Sequence, residues 1–142
     1  MIRTKKQKNH NTAELYEDLA RNATQGAHLS LNEDQQRGIL ACFEYKVSVI
    51  TGGPGTGKTT LVRNLLDMLD RLNIKYKLAA PTGRASKRMF EGTGRPTETL
   101  HRLLEFDPSG GFGFKRNHDN VLELDWLIVD EASMIDIFLM SS

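Results

Sequence analysis

The stretch KVSVITGGPGTGKTTLVRNLLDMLDRL, residues 46–72, decides the fold. Its first six residues are mostly apolar and β-branched, which predicts a strand over 46–51. They run into glycines with no other turn signal, so the strand feeds a loop. Beyond the loop, Leu61, Leu65, Met68, Leu69 and Leu72 recur at helical spacing and predict a helix reaching about Asn73. Residues 76–80 read as a second short apolar strand. Strand, loop, helix and strand within about thirty residues make a βαβ unit, with parallel strands and a right-handed crossover. Residues 126–129 form a further apolar run ending at Asp130, as expected of a parallel strand buried on both faces. The fold class is α/β, a parallel sheet flanked by helices.

The loop carries the chemistry. Gly52, Gly57, Lys58 and Thr59 match G-x-x-x-x-G-K-[ST] between a strand and a helix, a phosphate-binding P-loop. From average residue usage, chance produces the pattern in only about one chain of this size in a few hundred. The glycines let successive N–H groups aim at phosphates, and the helix start at Lys58 adds its positive dipole end. The cradle comprises Gly52, Gly53, Pro54, Gly55, Thr56, Gly57, Lys58, Thr59 and Thr60. Lys58 would neutralise the β- and γ-phosphates of ATP, and the Thr59 hydroxyl would ligate Mg2+. The second metal-binding carboxylate is expected at Asp130, with Glu131 beside it to orient and polarise a water for hydrolysis. The other reading of this Asp-Glu pair is a cap for the next helix. Parallel strands open their carboxyl ends onto one edge, so Asp130 and the P-loop should share a crevice.

Length, charge and cysteine usage set the bounds. The 142 residues fit one domain, and a net charge of +1 does not by itself demand a nucleic-acid or membrane partner. Cys42 is the lone cysteine, which excludes an internal disulfide and a cysteine-cluster metal site. No segment approaches a membrane span and the basic start MIRTKKQKNH has no apolar stretch behind it, so a soluble, cytoplasmic protein is expected. Residues 1–30 read as a basic tail with a short amphipathic helix over about 12–22. Asn32 and Gln35 stand at capping-box spacing ahead of Ile39, Leu40 and Phe43, which starts a second helix. Residues 105–120 are rich in turn formers and predict an exposed loop or small hairpin.

Five strings occur in order: LNEDQQRGI (31–39), GGPGTGKTT (52–60), LAAPTGRAS (78–86), TLHRLL (99–104) and IVDEASMID (128–136). Together they resemble the Q motif and motifs I, Ia, Ib and II of RecD-like DNA helicases of superfamily 1. The segment FGFKRNHDN, residues 112–120, is similar to the family's stretch before motif II. The resemblance covers residue 31 onward.

It implies a partial RecA-like P-loop NTPase fold, with residues 31–142 as motor domain 1A truncated after motif II. It implies ATP-driven movement on single-stranded DNA, 5′ to 3′, in DNA repair or recombination, and other subunits of a helicase/nuclease complex as partners. By this resemblance Gln35 reads the adenine edge, in competition with its capping role. Thr82, Gly83 and Arg84 of motif Ia would touch the DNA backbone, the other reading being a helix start with Arg84, Lys87 and Arg88 on its solvated face. Thr99 and His101 of motif Ib take a DNA-side or structural role, and Phe112 and Phe114 either stack bases or pack locally. The family's second RecA-like domain supplies the arginine that completes the ATP site, so this chain alone is expected neither to unwind DNA nor to turn over ATP at a motor's rate. The strand after motif II would pair between strands 46–51 and 126–130 and begin beyond Ser142, so marginal stability is also expected. Two other classes compete: an AAA+ ATPase or helicase loader, which would lack APTGRAS and TLHRLL, and a nucleotide binder without turnover.

Overall fold

The computed structural model describes residues 14, 31–53, 57–108, 113–116 and 119–135. The basic tail and the helix expected over 12–22 lie outside these residues, apart from Glu14, which is helical. Helix α1, Glu33–Glu44, begins where the sequence puts it. The Asn32 Oδ1 accepts from the Gln35 N–H at 2.8 Å, and the Gln35 Oε1 accepts from the Asn32 N–H at 3.0 Å, a complete capping box. Glu33 and Asp34 add negative charge to the first turn, where the helix dipole favours it.

Helix α2, Lys58–Arg71, buries Leu61, Leu65, Met68 and Leu69 of the predicted stripe together with Leu66, while Leu72 is the half-buried C-cap residue. Strand β1, Tyr76–Ala80, follows. Helix α3, Gly83–Thr93, is capped by the Thr82 hydroxyl, which accepts from the Ala85 N–H at 3.2 Å. It stops at Gly94, whose φ of 68° suits glycine at a helix end. Next come β2, Thr97–Thr99; the one-turn helix α4, Leu100–Leu103; β3, Phe106–Asp107; β4, Gly113–Phe114; and β5, Trp126–Val129. A 3-10 turn, Ala132–Met134, closes the described chain.

The sheet runs β2-β1-β5, all parallel, with Leu78 opposite Thr97 on one side and Ile128 on the other. Alternate residues of a strand face opposite ways, and the core divides accordingly. Leu78 and Ile128 join α1, α2 and Met89 of α3 in the larger cluster, where Phe43 lies 4.9 Å from the Trp126 ring. Ala79 and Val129 face the other way, onto Leu100 and Leu103 of α4. Helices thus cover both faces of β1, as the α/β reading requires. The expected loop or hairpin before β5 is a hairpin, with β3 antiparallel to β4 and Phe106 opposite Phe114.

At the amino edge of the sheet, Arg95 donates to Asp67 at 2.9 Å and Asp70 at 2.6 Å, and through Nε to the Tyr76 hydroxyl at 3.3 Å. Burial raises the Tyr76 pKa against the lowering by Arg95, so the hydroxyl stays a neutral donor to Asp70 at 2.9 Å. Among the described residues no helix is long and apolar enough to cross a membrane.

One expectation fails. Residues 46–51 are not a strand, and they do not pair with β1 as a βαβ unit. The chain leaves α1 extended at Tyr45, φ −105° and ψ 146°, and Val47 and Val49 are exposed. The Ser48 hydroxyl donates to the Ala41 carbonyl at 3.0 Å and pins the segment to α1. A β-branched sequence becomes a strand only through a ladder, and among the described residues β5 pairs with β1 alone. Amides of Val47 and Val49 should therefore exchange with deuterium far faster than those of Leu78, Ala79 and Ile128. Equal protection of the two sets would show that 46–51 has a hydrogen-bonding partner.

Candidate functional site

Helix α2 starts at Lys58 from Gly57, whose φ of 78° is left-handed, and no side chain caps it. The first N–H groups of a helix have no intrahelical acceptor, and the dipole adds positive potential there. This start is therefore suited to an anion. Lys58 and Thr59 are exposed in its first turn. Gly57 is required twice over: its φ disfavours a side chain, and a Cβ there would lie 2.5 Å from the Gln35 Nε2. Pro54, Gly55 and Thr56 lie outside the described residues, while Gly52 and Gly53 are exposed ahead of them.

Gln35 links the loop to α1. Its Oε1 is engaged in the capping box, and its Nε2 donates to the Gly57 carbonyl at 3.4 Å. The capping role is thus formed, and the same amide lies against the end of the loop. A bidentate contact to adenine uses both amide atoms, so it would draw on the second lone pair of Oε1 and displace the long Gly57 contact.

The acidic pair sits at the carboxyl end of β5. The Asp130 N–H donates to the Ala79 carbonyl at 3.0 Å, extending the ladder by one residue and leaving the carboxylate exposed at the sheet edge. Its Oδ1 accepts from the Glu131 N–H at 2.9 Å. Glu131 is left-handed, φ 51° and ψ 40°, a conformation costing a non-glycine residue about 1 kcal/mol. Glu131 makes no side-chain cap for the turn that follows, so the capping reading of this residue does not hold. Its Oε1 lies instead 3.4 Å from the Arg88 Nη1 on α3.

Helix α3 joins the two halves. A Cβ at Gly92 would lie 2.9 Å from the Thr59 Cγ2, so α3 crosses the start of α2 at a close approach. Arg88 and Gly92 are four residues apart, about 6 Å along the axis and on one side of the helix. The P-loop helix and the Asp-Glu pair are thus linked along α3. Hard oxygen donors such as the Thr59 hydroxyl and the Asp130 carboxylate are the type that magnesium takes.

The three parallel strands open onto one edge, which brings Thr82, Thr99 and Asp130 to the same side of the sheet. Thr82 and Thr99 both act as helix caps there, Thr99 accepting from the Arg102 N–H at 3.3 Å. Gly83, Arg84, Lys87 and Arg88 are exposed, which realises the helix-start reading and leaves the basic face on solvent. His101, for which the sequence offers no partner, packs on Phe106 at 5.5 Å and on Phe114 at 5.9 Å. Phe114 also packs against Phe106 at 5.2 Å, so it is engaged locally, while Phe112 lies outside the described residues.

A family described as AAA domain matches residues 35–142. The chain belongs to that family. Its relatives are RecD-like, as the motifs indicate. The ATP-dependent RecD2 DNA helicase of Deinococcus radiodurans is 41% identical over 116 residues, covering 82% of this chain and 16% of that protein. The RecBCD enzyme subunit RecD of Mycolicibacterium smegmatis is 34% identical over 77% of this chain and 24% of its own length. The same subunit from Haemophilus influenzae is 35% identical, over 75% of this chain and 20% of its own length. The chain therefore spans well under a third of these RecD-like relatives.

Sequence reasoning passed over Arg88, placed on a solvated face, and Gly92. Nothing local marks Arg88, because its partner is 43 residues away. Gly92 did carry a signal: a glycine inside a helix costs stability and commonly marks a close approach. Gly92→Ala should hold or raise helix stability, by up to about 1 kcal/mol. It should also turn the Thr59 side chain and weaken magnesium-dependent ATP binding about tenfold. Unchanged affinity in a titration with magnesium would show that the approach does not set Thr59.

Proposed function

We propose that this RecD-like segment binds ATP with magnesium and hydrolyses it, as the motor of a DNA helicase that moves on single-stranded DNA. The observation that carries this reading is the uncapped start of α2 at Gly57–Lys58, joined through α3 to exposed Asp130 and half-buried Glu131.

Each residue has a role its position allows. The N–H groups at the start of α2 and the Lys58 ammonium receive the phosphates. Residues 52–60 would supply the phosphate cradle, and the Gln35 amide, which donates to the Gly57 carbonyl, would read the adenine edge. The Thr59 hydroxyl and Asp130 carboxylate hold magnesium, which offsets charge on the β- and γ-phosphates when bound. Glu131 orients the attacking water and accepts its proton. The Thr82 hydroxyl, the Gly83 backbone and the Arg84 guanidinium, with Thr99 and His101 at the same edge, receive the phosphates of the DNA strand. Movement 5′ to 3′ and action in repair or recombination complete the reading, and the relatives named as RecBCD enzyme subunits support assembly with other subunits.

Two substitutions in the full-length gene product test it. Lys58→Ala should abolish ATP binding by removing the charge opposite the phosphates. Glu131→Gln should keep binding while lowering turnover by about 10² to 10⁴, the usual worth of a general base. Equal ATP affinity for Lys58→Ala and the unmodified protein would refute the P-loop assignment. Unchanged turnover in Glu131→Gln would remove Glu131 as the base, and binding without hydrolysis in both proteins would leave a nucleotide binder without turnover.

A further inference from the structure

Arg84, Arg88 and Gly92 stand at i, i+4 and i+8 along one side of α3, and each lies at a different functional element. Arg84 is at the sheet's carboxyl edge, Arg88 is ion-paired with Glu131, and Gly92 abuts Thr59. We propose that Arg88 is a positioning residue that holds Glu131 away from the reaction until a DNA phosphate, arriving beside Arg84, draws the guanidinium off. This rests on the motor reading above and adds how DNA would govern it.

The backbone of Glu131 is fixed. Its N–H is held by the Asp130 carboxylate and its φ is 51°, so the carboxylate changes place through side-chain torsions. In the structure those torsions send Oε1 to the Arg88 guanidinium on α3. The contact is of a kind that yields readily. At 3.4 Å, with the Arg88 side chain 62% exposed, it belongs to the exposed ion pairs that shift an equilibrium by only about twofold to fivefold.

A phosphate diester is a suitable competitor. Arginine binds phosphate oxygens in a planar fork, and Arg84 supplies a second exposed cation on the same helix, with Lys87 beside it in a loose 3.9 Å pair with Glu91. One turn of helix, about 6 Å, separates Arg84 from Arg88, within the reach of two arginine side chains meeting one phosphate. No refolding is needed, since the exchange moves one side chain from a carboxylate to a phosphate. Glu131 then recovers the freedom to face the nucleotide. DNA binding and hydrolysis are thereby coupled through one arginine.

The test compares steady-state ATP turnover of the full-length gene product, with and without single-stranded DNA, for the unmodified protein, Arg88→Ala and Arg88→Lys. Arg88→Ala should raise DNA-free kcat about twofold to fivefold with KM for ATP unchanged, and should lower the ratio of DNA-stimulated to DNA-free kcat by a similar factor. Arg88→Lys should restore both toward the unmodified values. A purely structural role would instead lower both rates together and reduce the melting temperature. That result, or unchanged rates in Arg88→Ala, overturns the proposal while leaving the motor reading in place. Absence of any DNA-stimulated turnover in the unmodified protein overturns the motor reading and the proposal with it.

Discussion

The structure turns on the left-handed, uncapped start of α2. A helix beginning without a side-chain acceptor keeps its first N–H groups for something else, and here the geometry depends on Gly57 having no Cβ. The same absence admits the Gln35 amide, which is at once half of the α1 capping box and a contact to the Gly57 carbonyl. One turn below, a Cβ at Gly38 of α1 would sit 3.3 Å from the Leu61 Cδ1, so α1 and α2 are packed closely where the loop enters α2. A side chain at 57 would strain the left-handed turn and push on the Gln35 amide that completes the α1 cap.

The rigid and the yielding parts of the molecule are separate. Leu65, Leu69, Leu78 and Ile128 are almost wholly buried and anchor α2, β1 and β5, and deleting one such side chain typically costs about 2 to 5 kcal/mol. The groups at the carboxyl edge are tied by single hydrogen bonds and one long ion pair. Side chains there can exchange partners without disturbing the scaffold that positions them. Such a division suits the proposed site, which would receive a nucleotide and a nucleic acid in succession.

Much of this was legible in the sequence because the signals are local. The capping box at Asn32 and Gln35, most of the α2 stripe, and strands β1 and β5 each follow from spacing within a few residues, while turn chemistry at 105–120 left a loop or a hairpin open until the β3–β4 pairing decided it. The family was legible for a related reason, since its motifs are short and ordered. Pairing was not legible. Residues 46–51 have the composition of a strand, but a strand exists only with a partner, which composition does not supply. Arg88 reads as one more cation on a wet helix face until the left-handed turn at Glu131 brings a carboxylate to it. His101 looked partnerless because the rings of Phe106 and Phe114 reach it only after the hairpin closes.

The central claim is that the start of α2, the Asp-Glu pair and α3 form one nucleotide-responsive unit. Its most direct test is hydrogen–deuterium exchange across the chain with and without a non-hydrolysable ATP analogue and magnesium. The account predicts added protection in 57–61 and 130–131, continuing along α3 through 88–92, with little change at 46–50. Protection confined to α1 or to the β3–β4 hairpin, with 57–61 and 88–92 unaffected, would contradict it.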